Sequence, residues 1–209
     1  MTTPHLELEQ SLIAAGVDLV VGMDEVGRGA IAGPVWVSAG VWTQECGPIP
    51  EGIRDSKLIS EKKRPEIAER ATAWLSAHAS GSVDAEQIDS EGIMWALGQA
   101  GSEAIRQLWP VLSVARSPVI VLDGNQDWLT QHLPVSIRVI TQTKADATAG
   151  SVAAASVIAK VGRDQVMISA DGLYPGYGFA GHKGYGSAAH REAISRLGPS
   201  PVHRRTWIH

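Results

Sequence analysis

Apolar and polar residues follow strand and helix periods along most of the chain, and this pattern predicts an α/β protein. Strands are predicted from Val20 to the acids at 24 and 25, and at 34–42, 81–88, 119–122 and 135–141. Helices are predicted at 60–77 with Ser60 as cap, at 90–109 with a stop at Pro110, at 146–169 and at 188–197. Elements in this order favour a mixed β-sheet flanked by helices. A Gly- and Tyr-rich loop at 174–186, the last helix and a basic tail form a small C-terminal helical extension.

Acidic residues stand at the ends of the predicted strands. Asp24 and Glu25 close the first strand, Asp123 closes the apolar run 119–122, and Asp146 opens a helix after another strand. An Asp-Glu pair at such a place can be a turn entry or a helix cap. It can also be a charged site, because burying an unpaired carboxylate is costly unless a cation or a donor meets it.

Convergence of these four acids at one sheet edge would require a cation. Oxygen ligands without histidine or cysteine partners favour Mg²⁺ or Mn²⁺ over zinc, and two such ions can cleave a phosphodiester. Successive strand residues point to opposite faces, so Asp24 and Glu25 share a site only if the strand ends or bends there. The glycines that follow them should allow this bend.

Glycines at 27, 29 and 33 imitate the turn of a dinucleotide-binding fold. That fold requires a helix to begin here, whereas 34–42 is β-branched and aromatic and predicts a second strand. We therefore interpret Gly27 and Gly29 as allowing close backbone approach to a ligand. Arg28 between them adds a fixed positive charge suited to phosphate.

Length and composition indicate one catalytic domain spanning 1–209, with 1–16 as a short leader. Its 44% apolar residues are ample for a core. No segment resembles an export signal or a membrane span, so we expect a cytoplasmic protein without membrane contact. The single cysteine, Cys46, excludes an intramolecular disulfide and a cysteine-rich zinc site. The net charge of −4 argues mildly against nucleic-acid binding, so such binding would depend on local basic residues.

Seven motifs in order resemble ribonuclease HII, the type 2 ribonuclease H family, over nearly the whole chain from Gly22 to Trp207. They are Asp24-Glu25-Val26-Gly27-Arg28-Gly29, Asp55-Ser56-Lys57, Leu122-Asp123-Gly124, Lys144-Ala145-Asp146, the run from Ala154 to Asp164, Tyr174-Pro175-Gly176-Tyr177-Gly178-Phe179, and Lys183-Gly184-Tyr185-Gly186. Each motif is weak alone, and their order and spacing make the set specific.

The resemblance implies an RNase H-like fold and metal-dependent cleavage of the RNA strand of RNA/DNA hybrids. It also implies incision 5′ to single ribonucleotides in duplex DNA, leaving 3′-hydroxyl and 5′-phosphate ends, in ribonucleotide excision repair. By motif, Asp24, Glu25, Asp123 and Asp146 would be the metal-binding catalytic carboxylates. The Gly27-Arg28-Gly29 segment would read the ribose 2′-hydroxyl, which distinguishes RNA from DNA, and Tyr185 would stack beneath the adjacent sugar.

Basic residues at these motifs answer the objection from net charge, because phosphate contacts depend on local Lys and Arg. Lys57 and Lys144 are the predicted phosphate contacts, and residues from about 170 onward would also face substrate. The sequence leaves open the roles of Ser156, Lys160, Arg163, Lys183, Arg204 and Arg205. We interpret His182 and His190, which flank the last motif, as surface polar residues.

Three alternatives remain. Ribonuclease HIII typically carries a large N-terminal substrate-binding domain and lacks the Gly-Arg-Gly element. A junction resolvase of similar fold would ignore a ribonucleotide, and a non-catalytic binding module would have lost an acid. The sequence does not fix the choice between Mg²⁺ and Mn²⁺ or the oligomeric state, for which a monomer is expected.

Overall fold

A mixed β-sheet organises the computed structural model, which describes residues 3–208. Its strands are β1 (Leu19–Val26), β2 (Val35–Trp42), β3 (Ala77–Val83), β4 (Pro118–Asp123) and β5 (Arg138–Gln142). The order across the sheet is β3-β2-β1-β4-β5. The β1–β2 and β2–β3 pairs are antiparallel, whereas β1–β4 and β4–β5 are parallel.

Helices cover both faces of this sheet. They are α1 (Glu7–Ala14), α2 (Arg64–Trp74), α3 (Ala85–Glu91), α4 (Ile93–Leu112), α5 (Ala145–Thr148), α6 (Gly150–Leu173), α7 (Phe179–His182) and α8 (Ala188–Leu197). The predicted mixed sheet flanked by helices is confirmed. Within residues 3–208, no helix is both long enough and apolar enough to cross a membrane.

Alternation along β1 divides the core into two layers. Leu19, Val21 and Met23 pack in the cluster built on α4, whereas Val20 packs in the cluster built on α6. Gly22 lies against α6 so closely that a Cβ there would be 2.3 Å from the carbonyl carbon of Ser151. The small residues of α6 therefore let this helix sit directly on the strand that carries Asp24.

The strand predicted at 81–88 is wrong in its second half. β3 runs from Ala77 to Val83, and α3 begins directly after it. The side chain of Asp84 accepts a hydrogen bond from the backbone N–H of Gln87 at 3.0 Å, which caps this helix. The Asp84 cap was the sequence signal for a helix at this point.

The predicted stop at Pro110 is also wrong, since α4 continues to Leu112. Pro110 removes one N–H from the last turn, but the backbone of Ser113 still bonds to Trp109 and Leu112 is buried in the core. The helix begins later than predicted, at Ile93, because Gly92 has a φ of +87° and separates it from α3.

The helix predicted at 60–77 is shorter, and its N-cap position is Lys63 rather than Ser60. A 3₁₀ turn at Glu61–Lys63 leads into α2, which ends at Trp74 where Leu75 becomes extended. Within the described chain, the side chain of Ser60 makes no capping hydrogen bond. The strand predicted at 135–141 begins only at Arg138.

The helix predicted at 146–169 is broken at Ala149, whose backbone is extended, and it then continues to Leu173. The predicted leader stabilises this break: the N–H of His5 bonds to Thr148 and its carbonyl accepts from Gly150, both at 3.0 Å. Glu9 on α1 accepts from the N–H of Ser151 at 2.8 Å. The leader is thus partly helical, and its residues 1–2, like residue 209, lie outside the described part.

The C-terminal extension has a small core of its own. Ala32, Met167, Ala170 and Phe179 are buried together. The predicted loop at 174–186 includes the short α7 within this region. The extension therefore packs against the segment that follows β1.

Candidate active site

Three of the four predicted acids meet at one end of the sheet. The β1–β4 register pairs Met23 with Leu122, so Asp24 and Asp123 follow on neighbouring parallel strands. The backbone N–H of Asp146, at the start of α5, lies 3.4 Å from Oδ1 of Asp123. Asp24 is 7% exposed and Asp146 is 5% exposed.

Glu25 follows Asp24 on β1, and successive residues of a strand point to opposite faces of the sheet. β1 does not end at the acids as predicted, because Val26 still pairs with Trp36 on β2. Its pairing with β4 does stop after Met23, which opens the edge beside Asp24 and Glu25. The bend follows at Gly27, with a φ of +84°. Both acids therefore line one cleft, as the motif requires.

Mutual repulsion and burial shift the pKa values of these acids. Burial raises the pKa of Asp24 well above its usual value, and Glu25, Asp123 and Asp146 raise it further. Burial also raises the pKa of Glu25, although Arg28 opposes this change. The pKa of Asp146 is raised by burial and by Asp123, against the opposing effect of Lys57. Such a group of acids is the environment that a cation stabilises.

Ser156 on α6 contributes a buried hydroxyl to which sequence reasoning assigned no role. The buried Ser156 hydroxyl donates to the hydroxyl of Ser56 at 3.1 Å. Its presence beside Asp24 also lowers the pKa of that acid, although burial raises this pKa more. A hydroxyl within an otherwise alanine-rich helix face was the available signal. Ser156 thus connects the Asp55-Ser56-Lys57 motif to the first acid.

Lys57 contacts one of the acids, whereas Lys144 is exposed. Asp55 accepts from the N–H of Lys57 at 2.9 Å, which fixes the turn. The Nζ of Lys57 then reaches Oδ2 of Asp146 at 3.3 Å. Although partial burial opposes the charged form, Asp146 and Asp55 raise the pKa of Lys57. Lys144, two residues before Asp146, is exposed and has a φ of 59°.

A cleft of about 480 Å³ joins the acids to the predicted substrate contacts. Its lining comprises Asp24, Glu25, Val26, Gly27, Arg28, Gly29, Ser56, Lys57, Ser156, Lys160 and Tyr185. Another cleft of similar volume is lined by residues between 51 and 70 and contains none of the four acids. The chemistry and the predicted recognition residues therefore share one cavity.

The two glycines of the Gly-Arg-Gly segment have different structural reasons. A Cβ on Gly27 would lie 2.0 Å from Nε of Arg163, so the fold itself requires glycine there. A Cβ on Gly29 would meet no atom of residues 3–208 within 4 Å, and its φ is not left-handed. The protein does not require glycine at 29, which leaves space for a ligand to approach the backbone.

Two arginines whose roles were open are buried and structural. Arg163 donates to the carbonyls of Pro34, Lys183 and Ala32 at 2.8 to 3.0 Å. Arg204 donates to the carbonyls of Gly27, Arg28 and Gly33 at 2.7 to 3.1 Å. Neither is exposed to a phosphate. Together they hold the loop after β1 against the C-terminal extension.

The other open basic residues have varied surroundings. Lys160 pairs with Asp164 at 2.6 Å while lining the cleft. Lys183 is buried and donates to Glu61 at 2.7 Å and to the carbonyl of Ala180. Arg205 is exposed, and its backbone N–H bonds to Asp89.

Two histidines interpreted as surface polar residues, His182 and His190, join His203 in a partly buried network behind Tyr185. The ring of His190 is fully buried, and its Nδ1 lies 2.9 Å from the carbonyl of Tyr185. Its Nε2 lies 3.0 Å from Nε2 of His203, whose Nδ1 accepts from the N–H of Ser200. These contacts assign neutral rings, with His203 donating to His190 and His190 donating to Tyr185. His182 stacks on His190 with ring centroids 4.0 Å apart.

A metal ion fits these acids by donor chemistry. Within the described residues, no three His, Cys, Asp or Glu side chains surround a common point closely enough to hold an ion. Lys57 instead approaches Asp146 from the cleft. Burial first, and then the neighbouring acids, raise the pKa values of Asp24 and Asp146, and carboxylate oxygens suit a hard divalent cation.

Comparisons with known proteins identify the family of the chain. The model of the family Ribonuclease HII matches residues 21–209. Ribonuclease HII of Hyphomonas neptunium is 45% identical over 90% of this chain and 93% of its own. Ribonuclease H2 of Pyrococcus horikoshii is 26% identical, with a TM-score of 0.64 over 90% of this chain and 93% of that chain. The structure of Bst-RNase HIII in complex with Mn²⁺ shares the fold, with 20% identity and a TM-score of 0.63 over 92% of this chain and 65% of that chain. With Asp24, Glu25, the Gly-Arg-Gly segment and Tyr185 on one cleft, the chain belongs to the ribonuclease HII family of type 2 ribonuclease H endonucleases, which act on the RNA strand of RNA/DNA hybrids.

Proposed function

We propose that this endonuclease also cuts duplex DNA on the 5′ side of a single embedded ribonucleotide, leaving 3′-hydroxyl and 5′-phosphate ends. The observation that carries the proposal is the shared cleft, in which Asp24, Glu25, Gly29 and Tyr185 line the same volume. The other two acids lie beside it, since Lys57 on the cleft reaches Asp146, whose N–H lies 3.4 Å from Asp123. A site of this kind tests for one 2′-hydroxyl beside the bond that it cuts. Its cellular role would be the removal of ribonucleotides from DNA.

Recognition of the ribose is assigned to the backbone at 27–29. A 2′-hydroxyl is both a donor and an acceptor, so main-chain groups can read it if no side chain intervenes. The open space at Gly29 supports this assignment, and the bonds from Arg204 to the carbonyls of Gly27 and Arg28 fix the loop. A pre-organised loop discriminates better because less ordering is needed on binding.

Tyr185 is assigned as the platform beneath the adjacent sugar. Tyr185 is 37% exposed, and the guanidinium of the buried Arg163 lies 5.4 Å from the ring centroid. The bond from His190 to its carbonyl restrains the main chain. The platform is thus held from behind while its outer face remains accessible.

Asp24, Glu25, Asp123 and Asp146 would hold Mg²⁺ or Mn²⁺. A divalent cation there supplies the positive charge that activates water and stabilises the leaving oxygen of a phosphodiester. The Mn²⁺ in the Bst-RNase HIII complex supports this class of ion. Lys57 already lies at Asp146 and would meet a phosphate oxygen, and the exposed Lys144 would extend along the strand. We further propose that the protein is cytoplasmic, since its single cysteine, Cys46, fits a reducing compartment. We also propose that it is a monomer.

The test is cleavage of end-labelled duplexes: one with a single ribonucleotide, one a long RNA/DNA hybrid and one all DNA, each with and without Mg²⁺ or Mn²⁺. The proposal predicts metal-dependent cutting of the first two and no cutting of the third. Asp146→Asn should abolish both activities while keeping the fold, because Asn retains the size of the side chain but removes its charge. Gln131→Ala, at an exposed position in a 3₁₀ turn, serves as a control.

Each alternative has a distinct outcome. Cutting of the hybrid alone would indicate HIII-like specificity, and cutting of the all-DNA duplex or of branched DNA would indicate a resolvase. Binding without cutting would indicate a binding module. Full activity of Asp146→Asn would remove this acid from the catalytic group.

A further inference from the structure

Arg28 is held by a residue that no motif includes. Its Nη2 donates to Oε1 of Gln126 at 2.7 Å and lies 3.6 Å from Sδ of Met94. Its Nη1 lies 3.7 Å from Oε1 of Glu25. Gln126 is exposed on the segment after β4, three residues beyond Asp123. The contact therefore links the segment that follows one acid to the recognition loop that follows two others.

The chemistry of Gln126 suits a partner that orients a cation without neutralising it. A carboxylate at this place would pair with the guanidinium and compete with a phosphate, whereas an amide oxygen only accepts a hydrogen bond. The neighbouring Asp127 does not take this role, since it accepts from the N–H groups of Leu129 and Thr130. Arg28 thus keeps its charge at the mouth of the cleft.

The position of the guanidinium matters because Glu25 is its other partner. Arg28 already opposes the burial-driven rise in the pKa of Glu25. Without Gln126, the flexible arginine side chain would be free to move onto Glu25 or into solvent, and binding a phosphate would then require ordering it again. A restraint that exists before substrate arrives lowers this cost.

We propose that Gln126 is a positioning residue that holds Arg28 ready to contact a backbone phosphate of the substrate strand. The proposal rests on the proposed function, because it assumes that the nucleic acid enters the cleft beside Arg28. It adds a substrate-positioning element on the segment after β4, outside every motif that identified the family.

The test measures binding rather than cleavage. A short fluorescein-labelled duplex with one ribonucleotide is titrated with protein in EDTA, and the dissociation constant is followed by anisotropy over a range of salt concentrations. The variants are Gln126→Ala, Gln126→Glu, Arg28→Ala and the double variant Gln126→Ala/Arg28→Ala. Gln131→Ala is the matched control, because it makes the same change at another exposed glutamine. Thermal unfolding of each variant shows whether the fold is kept.

We expect Gln126→Ala to weaken binding about fivefold and to reduce the slope of log K against log salt by about 1, as for the loss of one phosphate contact. Gln126→Glu should weaken binding at least as much, because the new carboxylate would pair with Arg28 and compete with the phosphate. The double variant should bind no more weakly than Arg28→Ala, because Gln126 acts through Arg28. A merely structural role would instead lower the unfolding temperature and leave the salt slope unchanged.

The other outcomes overturn the inference. If Arg28→Ala weakens binding and Gln126→Ala does not, Gln126 does not position Arg28. If neither variant changes the dissociation constant, or if the wild-type protein does not bind the duplex, no phosphate meets Arg28. Failure of the proposed function is seen separately, as absence of cleavage by a wild-type protein that still binds.

Discussion

Gly27→Ala should lower the stability of the protein, whereas Gly29→Ala should lower its activity, although the two glycines are only two residues apart. At Gly27 the φ of +84° alone costs an L-residue about 1–2 kcal/mol. The new Cβ would also lie 2.0 Å from Nε of Arg163. Arg163 cannot move away cheaply, because its three bonds to main-chain carbonyls are buried. Losing one charge-assisted bond adds about 1.5–3 kcal/mol, so Gly27→Ala should lower the free energy of unfolding by roughly 3 kcal/mol or more.

At Gly29 none of these costs applies. The position is exposed, its φ is not left-handed, and a Cβ meets nothing within 4 Å in residues 3–208. Gly29→Ala should therefore change the free energy of unfolding by less than about 1 kcal/mol. It should nevertheless reduce cleavage at a single ribonucleotide by about tenfold or more, since the methyl group would separate the backbone from the 2′-hydroxyl.

The assay pairs urea unfolding with cleavage of the single-ribonucleotide duplex at saturating metal. The expected pattern is a destabilised Gly27→Ala and a stable but poorly active Gly29→Ala. Wild-type cleavage by Gly29→Ala would refute the role of its backbone in reading the ribose. Wild-type stability of Gly27→Ala would refute the packing argument for Arg163.

Three further predictions concern the residues around the cleft. Burial lowers the pKa of His190 from 6.5 to about 4, so the stability that its neutral ring contributes is complete above pH 6.5 and declines as pH falls towards 4. The loss near pH 5 is about 2 kcal/mol, and His190→Gln should remove it from the pH dependence of urea unfolding; an identical pH dependence in the variant would contradict this. Tyr185→Ala should slow cleavage at an isolated ribonucleotide by about ten- to a hundredfold, the value of one stacking contact, and unchanged rates would remove Tyr185 from the site. Ser156→Ala removes a neighbouring hydroxyl that lowers the pKa of Asp24, so the pH profile of cleavage should move to higher pH; an unmoved profile would mean that Ser156 acts only through its bond to Ser56 and its packing.

The sheet and its acids were predictable because they depend on local signals. The apolar runs of β1 and β4 end at acids, and parallel pairing of the two strands places Asp24 beside Asp123. Their parallel register itself is a tertiary property, so the sequence could only suggest that the acids converge. The Gly-Arg-Gly segment was recognised as a unit, although its two glycines serve different purposes.

Long-range contacts explain most of what sequence reasoning missed. Arg163 and Arg204 were possible phosphate contacts until the structure showed them bonded to carbonyls of the loop after β1. Gln126 carries no local signal, because its partner lies 98 residues away along the chain. The errors in helix bounds have local causes. Asp84 caps a helix where a strand was predicted, and the last turn of α4 tolerates Pro110.

The most direct measurement is to map the cut and its ends on a duplex with one ribonucleotide. Products are compared with synthetic markers and then treated with a phosphatase and a ligase, which report on the terminal groups. The account predicts a single cut between the preceding deoxynucleotide and the ribonucleotide, with a 3′-hydroxyl and a 5′-phosphate, only when Mg²⁺ or Mn²⁺ is present. A cut on the 3′ side that leaves a 2′,3′-cyclic phosphate would contradict it, because the 2′-hydroxyl would then be the attacking group rather than the feature that the site reads.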